Sequence, residues 1–300
     1  MTDPATDFPA SLAILGPGRL GSALAHAAHN ARLPVVIGAR NPDAASDLAH
    51  TLGQADVPSL TDAARNADLV LLTVSDDAIE SVCETLAREG VFRSGMIVAH
   101  CSGVHDTSLL ASARQAGCHV ASFHPLQTFP ATDAAEAMRL VGAYCFCEGD
   151  PQATDLLSEL ARVVGAIPVV FPSGGKAIYH AAAVMASNYV TTLADAAIDA
   201  ATQAGIDPET AQAALGVLLT TASENAHALG PADALTGPIA RGDIGTLKKH
   251  LAALGDCDEN LRLLYRTVGT RTVDLAVRKG TLTPDVAAEL KRTLGESEHA

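Results

Sequence analysis

Short apolar runs alternate with Ala-rich segments of helical length from Leu12 to Pro172. The runs are SLAILG, PVVIGA, DLVLLTV, MIVAHCS, CHVASFHP, GAYCFCE and AIPVVF. A strand inside a parallel sheet is apolar because helices cover both of its faces, and a helix connects it to the next strand. The pattern therefore predicts an α/β fold with a doubly wound parallel sheet.

The apolar runs of strand length end after Pro172, and long helical patterns follow. The predicted helices cover Lys176 to Ala204, Pro208 to Ala228, Ile244 to Leu254, Asp258 to Lys279 and Pro284 to Leu294. Two different patterns in 300 residues indicate two domains, since single cores rarely grow beyond about 250–300 residues. We predict an α/β domain over residues 10–172 and an all-helical domain over residues 173–300.

Composition and charge restrict the classes of partner. The formal net charge of −14 disfavours nucleic acid and anionic membranes, so we expect a small-molecule substrate instead. The six cysteines lack the paired spacing of a disulfide framework or a zinc site, and we expect no metal. The start of the chain lacks a basic segment followed by an apolar one, which leads us to expect a cytoplasmic protein.

A glycine-rich turn connects the first predicted strand to the first predicted helix. Gly16, Gly18 and Gly21 form the pattern GxGxxG, with Arg19 and Leu20 between the second and third glycines. Such a turn brings backbone N–H groups and a helix N-terminus close to a pyrophosphate. The alternative is a glycine turn in an unrelated α/β fold. The motif predicts that residues 10–172 form a dinucleotide-binding Rossmann domain.

The end of the second predicted strand indicates which dinucleotide binds. An NAD site places an acidic residue about 20 residues after the turn, where this chain has Gly38-Ala39-Arg40-Asn41. Arg40 is suited to pair with a 2′-phosphate, which favours NADP (NADPH) over NAD. A solvated arginine, with Asp43 as the acidic residue, is the alternative. At the end of DLVLLTV, Val74 and Ser75 are expected to close the cofactor pocket.

Two later strand ends carry candidate catalytic residues, because ligands of such sheets lie beyond the carboxyl ends of the strands. His124 precedes Pro125 at the end of CHVASFHP, where it could bind a carbonyl group or transfer a proton. Ser102, after MIVAHC, could be its hydrogen-bonding neighbour. A histidine with only a packing or turn role is the alternative for His124.

The apolar segment KAIYHAAAVMASNY contains polar residues at helical spacing. Lys176, His180 and Asn188 share one ridge of a continuous helix, and Ser187 lies near Lys176 in projection. Lys176 or His180 could supply the proton that carbonyl reduction requires, and a cation there could bind a substrate carboxylate. Alternatively, Lys176 is solvated while His180 and Asn188 satisfy buried backbone groups.

The loop LTGPIARGD between two predicted helices carries one more candidate. Asp243 is expected to cap the helix that begins at Ile244. Arg241, held in a loop constrained by Gly and Pro, is expected to clamp a substrate carboxylate or to reach across a subunit interface.

The motifs GPGRLGSAL, SFHPLQTFP, KAIYHAAAVMASNY and TGPIARGD together resemble a bacterial family of Rossmann-like NADP oxidoreductases with a C-terminal helical domain of unknown function, which includes alternative ketopantoate reductases. More distantly, the chain is similar to pyrroline-5-carboxylate reductase, the β-hydroxyacid dehydrogenases and the prephenate dehydrogenases. The resemblance implies an NADPH-dependent reductase of a small carboxylate-bearing carbonyl or imine, with ketopantoate as the leading substrate. Because related folds dimerise through the helical domain, the resemblance also implies a homodimer.

Single residues also take part in this resemblance. His124-Pro125 with Ser102 looks like the active-site pattern of prephenate dehydrogenases, while Lys176 with Asn188 is similar to the interdomain pair of β-hydroxyacid dehydrogenases. Those enzymes keep the asparagine one turn after the lysine, where this chain has His180. The resemblance implies that Asn188, Ser187 and Arg241 orient the substrate. An oxidative enzyme like prephenate dehydrogenase and a non-catalytic NADP-binding sensor or assembly protein are the alternatives.

Overall fold

The computed structural model describes residue 8 and residues 10–172 and 174–295. It confirms the predicted α/β fold with a helical C-terminal part. The predicted strands form one sheet in the order β2-β1-β3-β4-β5-β6-β7. They are β1 (Leu12–Leu15), β2 (Val35–Gly38), β3 (Leu69–Leu72), β4 (Ile97–His100), β5 (His119–Pro125), β6 (Tyr144–Gly149) and β7 (Ile167–Val170).

One strand pair departs from the predicted parallel arrangement. Strand β6 runs antiparallel to β5, and β7 returns parallel to β6. The apolar pattern of a buried strand is the same in both directions, so it contains no information on this reversal. The chain from β5 to β6 passes through a 3₁₀ helix, Ala134–Leu140, that packs against the first α-helix. The other neighbouring pairs are parallel.

Helices cover both faces of the sheet. They are α1 (Arg19–Asn30), α2 (Ser46–Thr51), α3 (Leu60–Arg65), α4 (Asp76–Arg88), α5 (Ala111–Gln115) and α6 (Pro151–Val163). Helix α7 (Lys176–Ala186) follows β7 and belongs to the same compact unit as the sheet. Leu12 and Ile14 of β1 enter one core, whereas Ala13 and Leu15 enter the core on the other face. Because alternate side chains of β1 enter cores on opposite faces of the sheet, every residue of this strand is apolar.

The remaining helices form a second compact unit. They are α8 (Asn188–Gln203), α9 (Pro208–Leu229), α10 (Pro231–Ala234), α11 (Ile244–Ala253), α12 (Glu259–Lys279) and α13 (Pro284–Gly295). Leu247, Val273 and Leu290 are fully buried in its core. Within the described ranges, no helix has both the length and the hydropathy needed to cross a membrane.

The prediction of a single helix from Lys176 to Ala204 is wrong, because the helix is interrupted at Ser187. Ser187 has φ −128° and ψ −70°, which is outside helical geometry, and it separates α7 from α8. The chain passes from the first compact unit to the second at the same place, since the first ends at Ser187 and the second begins at Asn188. Helix α7 therefore packs as part of the unit that contains the sheet.

Candidate active site

The glycine-rich turn has the geometry of a close-packed strand–turn–helix unit. Gly16 has φ +101°, a conformation that L side chains rarely adopt, and a Cβ there would clash with Val74. A Cβ on Gly21 would meet the Gly16 carbonyl oxygen and lie 2.7 Å from Oγ1 of Thr73. The Thr73 hydroxyl donates to that carbonyl oxygen at 2.7 Å. Thr73, at the end of β3, is a site residue that the sequence analysis missed.

Next to this turn is a cavity of ≈ 340 Å³. Its lining residues are Gly16, Pro17, Gly18, Ala39, Arg40, Asn41, Leu60, Thr73, Val74 and Ser75. A second cavity of ≈ 450 Å³ shares Ala39, Arg40 and Leu60 with the first. The exposed Arg40 thus lines both cavities, and it forms no ion pair within the described part of the chain.

Arg19 and Leu20, inside the glycine motif, do not line this cavity. Arg19 is exposed in the first turn of α1, and Leu20 packs against the hydrophobic core. Leu20 therefore has a packing role, and Arg19 is a cation at the entrance to the helix.

His124 lies at the carboxyl end of β5, on the same edge of the sheet as the glycine-rich turn, because β1 and β5 run in the same direction. Its Nδ1 atom is 2.9 Å from the hydroxyl oxygen of Tyr179. Burial, together with the nearby charges of Lys176 and His180, lowers the pKa of His124 to about 4. The imidazole is therefore neutral at physiological pH.

Tyr179 is the principal residue that sequence reasoning left out of the site. Its ring lies 4.6 Å from that of Phe146 and 5.3 Å from that of Phe171, measured between centroids. Burial raises the pKa of its hydroxyl above the ordinary value, so the hydroxyl remains protonated. Its position between Lys176 and His180 on α7 was the sequence feature that could have indicated a role. Its hydrogen-bond partner His124, however, is 55 residues away in sequence.

Ser102 does not form the predicted hydrogen bond with His124. Its hydroxyl donates to Oδ2 of Asp76 at 2.9 Å and accepts from the backbone N–H groups of Val104 and His105. The backbone turns back immediately after β4, which brings those two N–H groups onto the serine oxygen. Ser102 consequently organises the loop that faces His124.

Lys176 is buried at 6% exposure, and its Nζ donates to the carbonyl oxygen of Ser102 at 2.7 Å. Burial lowers the pKa of Lys176, while the negative charge of Glu148 acts in the opposite direction. The alternative interpretation of Lys176 as a solvated residue is therefore wrong. This contact joins the start of α7 to the loop after β4.

Gly103 brings two imidazole rings together. A Cβ on this residue would lie 2.7 Å from Nε2 of His124 and 2.5 Å from Nδ1 of His180. That His180 nitrogen is buried and has no hydrogen-bond partner in the described part of the chain. Two ring nitrogens therefore converge on one face of a residue without a side chain, an arrangement that can direct two N–H groups at one acceptor atom.

Other predicted site residues lie at the unit boundary or in the second unit. Ser187 follows α7, whereas Asn188 is the first residue of α8. The break between them means that Lys176 and Asn188 do not share one continuous helix. Arg241 is exposed at the end of a 3₁₀ helix, and Asp243 caps α11 as predicted by accepting from the Thr246 N–H at 2.9 Å.

Metal ligands and reactive thiols do not form a site in residues 8, 10–172 and 174–295. No group of three or more His, Cys, Asp or Glu side chains in these ranges is arranged to hold a metal ion. Cys101, Cys145 and Cys147 are buried free thiols, and burial raises the pKa of each. They are protonated core residues.

Fold and site together define a Rossmann-like protein with a helical C-terminal part. Residues 5–125 match the Rossmann-like domain family, and residues 143–272 match DUF2520, a domain of unknown function. These two matches confirm the predicted resemblance to Rossmann-like proteins with a C-terminal domain of unknown function. No curated protein sequence is significantly similar to it.

Solved structures share the fold along most of the chain. A Thermotoga maritima protein is 24% identical with a TM-score of 0.69, and the match covers 89% of this chain and 99% of that one. A Bacteroides fragilis protein named as an NADP oxidoreductase is 20% identical with a TM-score of 0.69, covering 85% and 95%. A pyrroline-5-carboxylate reductase from Coxiella burnetii is 16% identical with a TM-score of 0.57, covering 95% and 98%.

Proposed function

We propose that this protein is an NADPH-dependent reductase that acts on a small carbonyl or imine compound bearing a carboxylate. The main observation in support is the position of His124, a neutral imidazole at the same sheet edge as the glycine-rich turn. A dinucleotide bound at that turn and extended along the strand ends would bring its reactive ring toward this histidine. The names of the similar structures, an NADP oxidoreductase and a pyrroline-5-carboxylate reductase, are consistent with this chemistry.

The residues around the turn fit a phosphorylated dinucleotide. Gly18, which a Cβ would not crowd, leaves open space beside the N-terminus of α1. Arg40 is exposed, lines both cavities and forms no ion pair with another described residue. Its guanidinium is therefore free to form bidentate hydrogen bonds with a 2′-phosphate. We therefore assign NADP(H) as the cofactor.

Bound NADPH supplies the hydride, and the protein has to bind, orient and protonate the substrate. His124 stabilises the charge that develops on the reacting oxygen or nitrogen, because a neutral imidazole carries one N–H donor. His180 adds a second nitrogen on the same face of Gly103. Lys176 holds the loop after β4 in place through the Ser102 carbonyl, so proton donation is assigned to His124 rather than to Lys176.

The substrate carboxylate needs a cation or several hydrogen-bond donors. We assign this binding to Arg241 and Asn188, with Ser187 as a further donor, and ketopantoate (2-dehydropantoate) is the leading candidate substrate by family resemblance. If Arg241 binds the carboxylate, Arg241→Ala should raise KM at least about tenfold, since a hydrogen bond to a charged group contributes roughly 1.5–3 kcal/mol.

The test is NADPH oxidation by the full chain with ketopantoate, other 2-keto acids and cyclic imino acids, each compared with the His124→Ala variant. Turnover by the wild type that falls at least about 100-fold in His124→Ala is the expected result. Prephenate with NADP is included, and turnover there alone would identify an oxidative enzyme instead. Tight NADPH binding without turnover on any compound would contradict the reductase and support a sensor or assembly protein.

We further propose that the protein is a cytoplasmic homodimer. Helices α8 and α9 expose Leu193, Val217 and Leu218, and the solvent exposure of such large side chains is unfavourable unless another surface covers them. The family resemblance supports a second copy of this chain as that surface.

A further inference from the structure

We propose that Tyr179 is a positioning residue that holds His124 in the tautomer with its proton on Nε2 and returns a proton to that ring during reduction. The inference rests on the proposed function, because it concerns how His124 becomes a proton donor. It extends that function by assigning Tyr179, which the motifs alone did not identify, a role in each turnover.

The aromatic packing holds the Tyr179 hydroxyl in one place. Phe146 on β6 and Phe171, just after β7, contact the tyrosine ring, and their own centroids are 6.0 Å apart. The His124 ring meets the Tyr179 ring edge-on at an interplanar angle of 87°. With both rings packed in this way, the hydroxyl oxygen stays 2.9 Å from Nδ1 of His124.

The hydrogen-bond partners of Tyr179 determine whether its hydroxyl or Nδ1 of His124 is the donor. Among the described residues, the hydroxyl of Tyr179 hydrogen-bonds only to Nδ1 of His124, so donating to Nδ1 gives its proton an acceptor. If Nδ1 were the donor, the phenolic proton would have no acceptor among the described residues, which is unfavourable for a partly buried hydroxyl. A neutral imidazole that accepts at Nδ1 carries its single proton at Nε2.

The Nε2 atom of His124 lies on the opposite side of the ring from Tyr179. It approaches Gly103 on the same face as Nδ1 of His180. Tyr179 and Gly103 thus lie at opposite ring nitrogens of His124. The tyrosine fixes one nitrogen as acceptor so that the other can donate.

The proton transfer is balanced without an imidazolium ion. When the reacting oxygen has gained negative charge through hydride transfer to its carbon, it forms an O–H bond as the Nε2–H bond of His124 breaks. At the same time Nδ1 forms an N–H bond as the phenolic O–H bond of Tyr179 breaks. The tyrosinate then takes a proton from water, and exchange of the ring tautomer restores the starting state. The positive charge that Lys176 and burial disfavour on His124 does not form.

The direct test is long-range ¹H–¹⁵N correlation spectroscopy of the full chain labelled with ¹⁵N-histidine at pH 7, without cofactor or substrate. A His124→Gln sample identifies the resonances of His124. We expect an Nε2–H pattern for His124 in the wild type, and a mixture of the two neutral tautomers in Tyr179→Phe, which keeps the ring packing. An Nδ1–H pattern in the wild type, or the same pattern in both proteins, would overturn the proposal.

Kinetics on whichever compound the NADPH assay identifies gives a second readout. Tyr179→Phe should lower kcat at least about tenfold, a fraction of the 10²–10⁴ typical of acid–base catalysis, with KM and the NADPH Kd unchanged. Tyr144→Phe, at an exposed tyrosine on β6, is the matched control and should leave kcat unchanged. Equal kcat in Tyr179→Phe and the wild type would refute the relay. If no compound is turned over, the proposed function is refuted but the tautomer assignment is not, because the spectroscopic measurement needs no turnover.

Discussion

Gly103 shows how the site depends on a single missing methyl group. The Nε2 atom of His124 and the Nδ1 atom of His180 occupy the space that a Cβ would need. Each ring is itself fixed, the first by Tyr179 and the second by its position on α7. Neither ring can move away without losing contacts, so residue 103 controls the distance between the two imidazoles.

Gly103→Ala should therefore disturb catalysis more than folding. We expect a loss of about 1–3 kcal/mol in the free energy of unfolding from overpacking, and a fall in kcat of at least tenfold while the NADPH Kd stays unchanged. Gly216→Ala is the control, because a Cβ at that position in α9 meets nothing within 4 Å, and it should stabilise the protein by about 0.5–1 kcal/mol. Urea denaturation and NADPH titration measure both effects. Wild-type kcat in Gly103→Ala would contradict the convergence of the two rings.

Arg40 tests the choice of cofactor at the same scale. Arg40→Ala should weaken NADPH binding by about 10–100-fold, since hydrogen bonds to charged groups contribute roughly 1.5–3 kcal/mol, and should leave NADH binding unchanged. Fluorescence titration of both nucleotides measures the ratio. Arg65→Ala, which removes an exposed arginine at the end of α3, is the control. Equal losses for NADPH and NADH would argue against a 2′-phosphate contact.

At the scale of elements, strands β4, β5 and β6 carry a buried polar row beneath the site. His100 pairs with Ser122, and Ser122 pairs with Glu148. All three are buried, and one carboxylate oxygen of Glu148 has no hydrogen-bond partner among the described residues. Burial raises the pKa of Glu148, whereas the charge of Lys176 on α7 lowers it. The sheet and α7 are thus coupled by charge as well as by packing.

Lys176→Met should expose this coupling as a pH dependence of stability. Without the ammonium, the folded-state pKa of Glu148 rises further above its unfolded value, so stability present at low pH is lost as the pH rises through the folded pKa. The stability that the variant loses relative to the wild type should therefore be larger at pH 8 than at pH 5.

Chemical denaturation at the two pH values measures this difference, and the double variant Lys176→Met/Glu148→Gln should remove it. Lys249→Met, at an exposed position on α11, should follow the wild type. A Lys176→Met protein with the wild-type pH profile would show that the two charges do not interact.

Elements with strong local patterns were predictable, and those that depend on distant contacts were not. The strands were found because burial on both faces makes them continuously apolar. The reversal of β6 was missed because strand direction leaves no mark on that pattern. The end of α7 at Ser187 was missed because Ser187-Asn188 contains neither Gly nor Pro, and the apolar periodicity continues across it. Tyr179 was missed because its partner His124 lies on a different element.

At the scale of the whole molecule, the exposed apolar side chains of α8 and α9 require an explanation. Leu218 is 64% exposed and Val217 is 69% exposed, although both lie in a long helix of a unit with its own core. Exposed apolar area of this kind marks surfaces that bind another protein. The proposed homodimer would cover it.

Sedimentation velocity at micromolar concentration tests this arrangement. The wild type should sediment as a dimer, and Leu218→Glu should shift it toward the monomer, because a buried unpaired carboxylate destabilises an interface by several kcal/mol. Lys249→Glu changes charge at an exposed polar position and should leave the dimer intact. A monomeric wild type would exclude the dimer, and circular dichroism of Leu218→Glu verifies that the variant is folded.

The claim on which the function depends is hydride transfer from NADPH to a bound carbonyl or imine. The most direct measurement uses NADPH carrying deuterium at the transferred position of its nicotinamide, with ketopantoate and the other keto and imino acids, and mass spectrometry of the products. We predict a product one mass unit heavier than that formed with ordinary NADPH, and its loss in His124→Ala. NADPH that binds tightly but transfers deuterium to none of these compounds would contradict the reductase.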